Sequence, residues 1–394
     1  MFRDVGKFFD DPGTQHNIIA LVGNGFDVAA MGKYGCGKMK GKKPTYEEFY
    51  KYISYYAGSD ELSENIIYKE MTDKKAIEES SGVEEKTWSD FELIIDELCR
   101  KKTTDFSKLR NDLDMIQGWF SKFLNDLVTA EVLISINNDS SKKELAIQSL
   151  SSFLGDLDAE DIIDMDFIKK PNQKHYDIHY FLFVDFNYSM LLDNYIYLDR
   201  KQFDPHVFKT VDRNFIFHPA PQIPGNMSGI NEDTSLSTYL YNDIVHPHGY
   251  MDIPRSIIFG TELEHYDKGG KDNEKMFVKS YWARDEIRYS EYIDGAELFI
   301  IFGMSITKTD AWWFNHIYDS LSQKKAELII YNFSDHISDP SLRDVAKDKA
   351  KDRFISACTN DDKDETKNGI VKSRIYVVLM SKNDTYFLGF EKRD

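Results

Sequence analysis

The sequence predicts an α/β protein: a mainly parallel sheet flanked by helices, with a large helical insertion. Three observations carry this reading. Short apolar runs rich in β-branched and aromatic residues recur along the chain. Several are apolar at consecutive positions, as strands buried on both faces are, which points to a parallel sheet covered by helices. Between the first run and the second lies a long stretch whose apolar residues follow a helical period instead.

The runs, in order, are Ile18–Gly23, Phe181–Phe186, Asn214–His218, Asp243–Gly249, Ser256–Gly260, Leu298–Gly303, Glu327–Asn332 and Arg374–Met380. In the intervening stretch, Phe91, Ile94, Ile95 and Leu98 fall on one helical face, and Ser89 with Glu92 has the spacing of a capping box. Leu109, Leu113, Ile116, Phe120, Phe123 and Leu127 form a second helical stripe. A third helix is expected near Asp310, with Thr307 and Asp310 at capping-box spacing and Trp313, Ile317 and Leu321 turned inward. The organisation expected is an α/β core over 14–59 and 175–385, interrupted by a helical insertion over 60–174. Polar stretches starting at Pro221, Tyr266 and Thr359 are expected to be surface loops.

Composition narrows the function. The 394 residues hold 49 Lys+Arg against 67 Asp+Glu, a net charge of −18, so a polyanion is repelled at long range and a nucleic acid is not the expected partner. Three scattered cysteines, Cys36, Cys99 and Cys358, give neither a disulfide framework nor a CxxC metal site, and suit a reducing compartment. MFRDVGKFFDDPG has no signal-peptide core, and runs such as LFIIFGM are far short of the roughly 20 residues that span a membrane. The expected location is the cytoplasm.

Five motifs carry chemistry. GNGFD (Gly23–Asp27) follows the first strand, where glycines let backbone approach a ligand and a helix N-terminus can hold a phosphate. Asp27 could accept a ribose hydroxyl or simply cap the helix. Gly32, Gly37 and Lys38 fit GxxxxGK, but Met39 replaces the magnesium-ligating hydroxyl, so a flexible loop is expected there. FVDFNYS places Asn187 at a strand end, either as a turn residue or to orient water or a sugar hydroxyl. HPHG brings His246 and His248, at i and i+2 of an expected strand end and so on one side, read as a metal pair with His218, His175 or His179 as third ligand, or as one general base beside one structural histidine. FGMSITKTD repeats the design with Gly303, Ser305 and a helix start at Asp310. Together the junctions imply a polar cleft along one rim of the sheet.

In this order, GNGFD, PTYEEF (Pro44–Phe49), WSDFE (Trp88–Glu92), FNYS, HPHG, SIIFG and FGMSITKTD resemble the bacteriophage abortive-infection AbiH family, within the wider sirtuin-like class of NAD-binding folds. The resemblance implies a Rossmann-like, sirtuin-like sheet. It implies NAD as substrate or ligand, held by Gly23, Asn24, Gly25, Phe26, Asp27, Gly303, Ser305 and Asp310, with Asn187 and His248 acting at the nicotinamide ribose. No resident metal is implied, and three cysteines cannot form the four-cysteine zinc module of deacetylases. Hydrolysis of the nicotinamide–ribose bond in phage defence is the leading expectation. A non-catalytic nucleotide sensor and a metal-dependent nuclease or phosphohydrolase using His246 and His248 stand as alternatives. Besides NAD, the expected partner is a second copy of the chain or a second defence protein, and no membrane.

Overall fold

The computed structural model describes residues 1–9, 11–57, 59–81, 90–101, 103–169, 173–198, 211–219, 234–260, 277–334, 339–381 and 385–392. Seven strands form one sheet: β1 (Gln15–Val22), β2 (Ile178–Asp185), β3 (Val211–Phe217), β4 (Leu236–Val245), β5 (Leu298–Phe302), β6 (Glu327–Phe333) and β7 (Ile375–Met380). Their order across the sheet is β3-β4-β2-β1-β5-β6-β7. Every neighbouring pair is parallel except the edge strand β3, which runs antiparallel to β4. The chain thus builds outward from β1 on one side, then crosses over β1 to begin β5 and builds outward on the other.

The consecutive apolar residues are explained by burial on both faces. Ile18, Ala20 and Val22 of β1 face one hydrophobic core, with Phe181, Phe183, Leu298, Ile300 and Phe302 from its neighbours. Ile19 and Leu21 face a second core with Tyr180, Leu182, Val184, Phe299 and Ile301. The helix Ala311–Ser322 covers that second face with Trp313, Phe314, Ile317 and Leu321. The first face is covered by α1 (Asn24–Tyr34), α2 (Tyr46–Tyr56) and the helices of the stretch before β2.

Among the described residues that stretch is wholly helical or irregular. Its long helix Phe106–Leu127 buries Leu109, Leu113, Ile116, Phe120, Phe123 and Leu127, the stripe expected from the sequence. Helix Phe91–Arg100 buries Phe91, Ile94, Ile95 and Leu98, and its cap is Asp90, which accepts from the Leu93 amide; Ser89 lies outside the described residues. These helices share one continuous core with the sheet face beneath them.

Four expectations are corrected. Ser256–Gly260 is not a strand: Pro254 starts a 3-10 turn, and the chain then runs over the turn that follows β4, with the Ile258 amide donating to the His248 carbonyl at 2.8 Å. Ile257 and Phe259 reach the core from there, so the run is apolar without being paired in the sheet. The Asp243–Gly249 run belongs to a longer strand that ends at Val245, before the histidines. Thr307 does not cap the helix near Asp310; its hydroxyl meets that of Thr309 at 2.8 Å, and a 3-10 turn, Lys308–Asp310, leads into Ala311. The stretch from Thr359 is only partly loop, because Asp364 caps a helix over Glu365–Lys372. The loops expected from Pro221 and Tyr266 fall almost wholly outside the described residues. Among the described residues no helix is long and apolar enough to cross a membrane.

The opposite end of the sheet is tied by charge. His16, at the start of β1, is 1% exposed and lies between Asp177 Oδ2 at 3.3 Å and Glu297 Oε2 at 3.1 Å, the residues just before β2 and β5. Burial opposes protonation of this imidazole, but hydrogen bonds to Asp177 and Glu297 outweigh it and hold the pKa at about 9 against an ordinary 6.5. A raised histidine pKa adds stability that is complete below the unfolded value and lost as pH rises through the folded one. Unfolding free energy should therefore fall between about pH 6.5 and 9, by about 3 kcal/mol at most. Urea unfolding across that window should show the decline in the native protein and a much flatter profile in His16→Gln. Parallel profiles would exclude this ion pair as its source.

Candidate functional site

The first junction after the sheet is built by glycines. The Gly23 amide donates to the Phe302 carbonyl at 2.9 Å, and the Gly25 amide donates to the Gly303 carbonyl at 2.6 Å. A Cβ on Gly25 would stand 2.5 Å from the Gly303 Cα, and one on Gly23 would stand 2.7 Å from the Met304 Cα. Gly303 has φ +63°, the left-handed region that glycine adopts without strain. These glycines therefore first serve to bring the backbones after β1 and β5 into contact, at the place where the chain crosses over β1. The Phe26 amide also turns inward, onto the Gly23 carbonyl at 3.1 Å.

Above this contact opens a cleft of about 610 Å³. Of the residues singled out in the sequence, Gly23, Asn24, Gly25, Asp27, Asn187, His248, Gly303, Ser305 and Asp310 all line it. Phe26 does not; its ring is fully buried against Tyr195 and Phe390, because the first turn of α1 points that side chain into the core. The other wall comes from the insertion and from α2: Asp90, Glu92, Phe120 and Leu124, with Thr45, Tyr46 and Glu47. Asn24 fastens the two sides together through its side-chain amide, which donates to the Pro44 carbonyl at 2.9 Å.

Asn187 is buried at the end of β2. Its side-chain amide donates to the Gly23 carbonyl at 3.2 Å and its backbone amide donates to Asp185 Oδ1 at 2.9 Å. That fixes the amide plane beside the glycine contact and leaves its side-chain oxygen to accept from a ligand. His248 packs edge-on against Phe186, with Nε2 3.9 Å from Asp310 Oδ1, beyond hydrogen-bond distance. Gly249 follows with φ +81°, where a Cβ would strike the Ser256 carbonyl at 2.0 Å, so the turn carrying His248 is clamped by the Ser256–Gly260 segment.

A buried lysine dominates the electrostatics. Lys279 reaches Asp310 Oδ1 at 2.7 Å and Glu92 Oε2 at 3.0 Å. Burial alone would neutralise it, but the two carboxylates hold its ammonium protonated. His248 feels the reverse: burial and then the Lys279 charge push its pKa down to about 3, so the imidazole is neutral. Burial raises Glu92 to about 7, with Lys279 opposing. Asp27 is likewise raised by burial to about 7, against the Ser189 hydroxyl, which donates to its Oδ2 at 2.6 Å. Sequence reasoning missed Lys279, which lies in no motif, and read Glu92 as part of a cap and of the WSDFE element, with no role in the site.

The histidine pair does not converge. HPHG is a turn, closed by the Gly249 amide onto the His246 carbonyl at 3.3 Å, rather than a strand with both rings on one side. His246 turns to Asp193, at 3.2 Å, and His248 turns to the cleft. The suggested third ligands are remote: His175 and His179 precede or begin β2, roughly 20 Å from its far end by strand rise, and His218 leaves β3 at that same distant edge. The GxxxxGK match is also no phosphate loop, since Gly32 lies within α1 and Lys38 sits in a 3-10 turn.

Two glycine substitutions separate the junction from the helix. Gly25→Ala should lower stability by about 1–3 kcal/mol, because the new methyl forces the β1 and β5 junctions apart. Gly32→Ala, at a helical site with nothing within 4 Å of the new Cβ, should leave stability unchanged or raise it by up to about 1 kcal/mol. Thermal unfolding of the two variants beside the native protein checks both signs.

Residues 19–332 match the family model described as Bacteriophage abortive infection AbiH. No curated protein matches the chain. The matched span runs from β1 to β6 and includes every described residue that lines the cleft. The chain therefore belongs to the AbiH family of bacteriophage abortive-infection proteins.

Proposed function

We propose that this abortive-infection protein binds NAD in the cleft and hydrolyses its nicotinamide–ribose bond. The observation that carries the reading is the strand order. Counted by chain order, the six parallel strands lie 3-2-1-4-5-6, and dinucleotides bind such sheets in the crevice where that order reverses, outside the carboxyl ends of the strands. The glycine contact between Gly25 and Gly303 lies at that reversal, and the cleft lies above it. A sirtuin-like assignment is the finer form of the same proposal.

The lining fits this substrate unevenly, and the unevenness is informative. Among the described residues its charged groups are Asp27, Glu47, Asp90, Glu92 and Asp310 against Lys279, which is already paired. A diphosphate would thus depend on the Asn24 amide at the start of α1 and on the hydroxyls of Ser305, Thr307 and Thr309. The cationic nicotinamide ring, by contrast, gains from the carboxylates.

The residues divide the work as follows. Nicotinamide leaves as a neutral molecule, so no acid is needed to expel it. Asn187 orients the attacking water or a ribose hydroxyl through its free carbonyl oxygen. His248, held neutral, accepts a hydrogen bond at the ribose. The water's proton passes to Glu92, whose pKa near 7 suits a base at neutral pH, whereas an imidazole at about 3 is too weak a base for that step.

Purified protein should release nicotinamide from NAD. Glu92→Gln should slow turnover by roughly 10²–10⁴-fold while keeping most of the NAD affinity, and His248→Ala, which removes one hydrogen bond at the ribose, by roughly 10-fold. Lys38→Ala, outside the cleft, should act like the native protein. Turnover should rise with pH through about 7, as Glu92 loses its proton, and Glu92→Gln should flatten that rise. NAD that raises the unfolding temperature but is never consumed would convert the reading to a nucleotide sensor.

A further inference from the structure

Behind the wall formed by Asp27 lies a second cluster that the hydrolysis scheme does not use. It is assembled from four separate elements: Asp27 in the first turn of α1, Asp185 at the end of β2, Asp193 in the helix Leu191–Ile196, and His246 in the turn after β4. His246 Nε2 meets Asp193 Oδ1 at 3.2 Å, and its Nδ1 faces Asp185 Oδ2 at 3.9 Å. One donor atom each from Asp185, Asp193 and His246 lies within 4.8 Å of the other two.

The polar atoms here are short of partners. Asp27 Oδ1, Asp185 Oδ2 and His246 Nδ1 are buried with no hydrogen bond, and Asp193 Oδ2 has only an ion-pair contact, 3.2 Å from His246 Nε2. Asp185 is fully buried and Asp27 is 2% exposed. Buried polar groups are ordinarily paired, and one such orphan costs about 1–3 kcal/mol. Gathered in one place they call for a common partner, and a group that takes lone pairs from carboxylates and an imidazole nitrogen at once is a cation.

We propose that Asp185, Asp193 and His246, with Asp27 beside them, bind one divalent transition-metal cation. Imidazole with carboxylates suits zinc or manganese better than magnesium or calcium, which take oxygen ligands. Ligand atoms about 2.0–2.2 Å from such an ion stand about 3–3.5 Å apart, so the 3.9 Å between His246 Nδ1 and Asp185 Oδ2 must close slightly and Asp193, within 4.8 Å of both, must swing toward Nδ1 on binding. Bound there, the ion joins α1, β2 and the turn that also carries His248. The site stands independently of the NAD reading, since none of Asp185, Asp193 and His246 lines the cleft.

The test uses the full chain stripped with chelator and dialysed. Mn²⁺ is titrated and free ion followed by its electron paramagnetic resonance signal; Zn²⁺ is measured by elemental analysis after gel filtration. The native protein should take up one ion per chain and unfold at higher temperature with it. Asp193→Asn, at a partly exposed position, and His246→Gln should each weaken binding by more than the roughly 10- to 100-fold that loss of a residue supporting a ligand costs. Glu47→Gln, in the acidic cleft at a half-exposed position, should leave binding unchanged, and circular dichroism should show all three variants folded. Failure of the native protein to bind either ion overturns the proposal. So does binding that Asp193→Asn and His246→Gln leave intact, or that Glu47→Gln removes. Native-like NAD turnover in a protein that binds no ion would reject this site and leave the hydrolase reading standing.

Discussion

The close contact of backbone on backbone between Gly25 and Gly303 is the constraint on which the rest depends. Two strands paired side by side in the sheet leave it at adjacent points, and their following loops must either diverge or touch. Here they touch, with the Gly25 amide on the Gly303 carbonyl at 2.6 Å, because neither residue has a side chain to hold them apart. The contact fixes the start of α1 and, through the Gly23 carbonyl, the amide of Asn187. It thus sets the floor of the cleft before any ligand is considered.

The opposite wall is governed by buried charge. Lys279 lies on the short helix Lys279–Ala283, Glu92 on a helix of the insertion and Asp310 at the entry to the helix after β5. One ammonium therefore binds three distant parts of the chain around the mouth of the site. A lysine that is 1% exposed is tolerable only because both carboxylates reach it. Burial, with the same charge adding to it, holds His248 neutral, and that charge moderates Glu92, so the chemistry of the cleft is tied to a pairing that also holds the insertion to the core.

Much of the sheet was legible because burial on both faces leaves consecutive apolar residues, as in FLFVDF and LFIIFG. The Ser256–Gly260 run shows where that signal fails: burial by a loop and burial in a sheet produce the same short pattern. The site was legible where backbone demanded glycine or where a strand ended in a polar residue, as at Gly23, Asn187 and Gly303. It was illegible where the contribution came from distant packing. Nothing local to Lys279 marks it as buried, and the first turn of α1 looks uniformly ligand-facing until the fold sends Phe26 inward and leaves Asn24 outside. The spacing of His246 and His248 misled for a similar reason, because the period of two holds only while a strand continues, and β4 stops at Val245.

The central claim is that the cleft over the glycine contact consumes NAD during phage defence. It is tested most directly by following the NAD content of cells through phage infection, with the native protein and with Asn187→Ala produced to equal levels. The account predicts that NAD falls after infection in cells with the native protein, together with loss of phage yield, and that it holds steady in cells with the variant. Protection from phage with an undiminished NAD pool would contradict it.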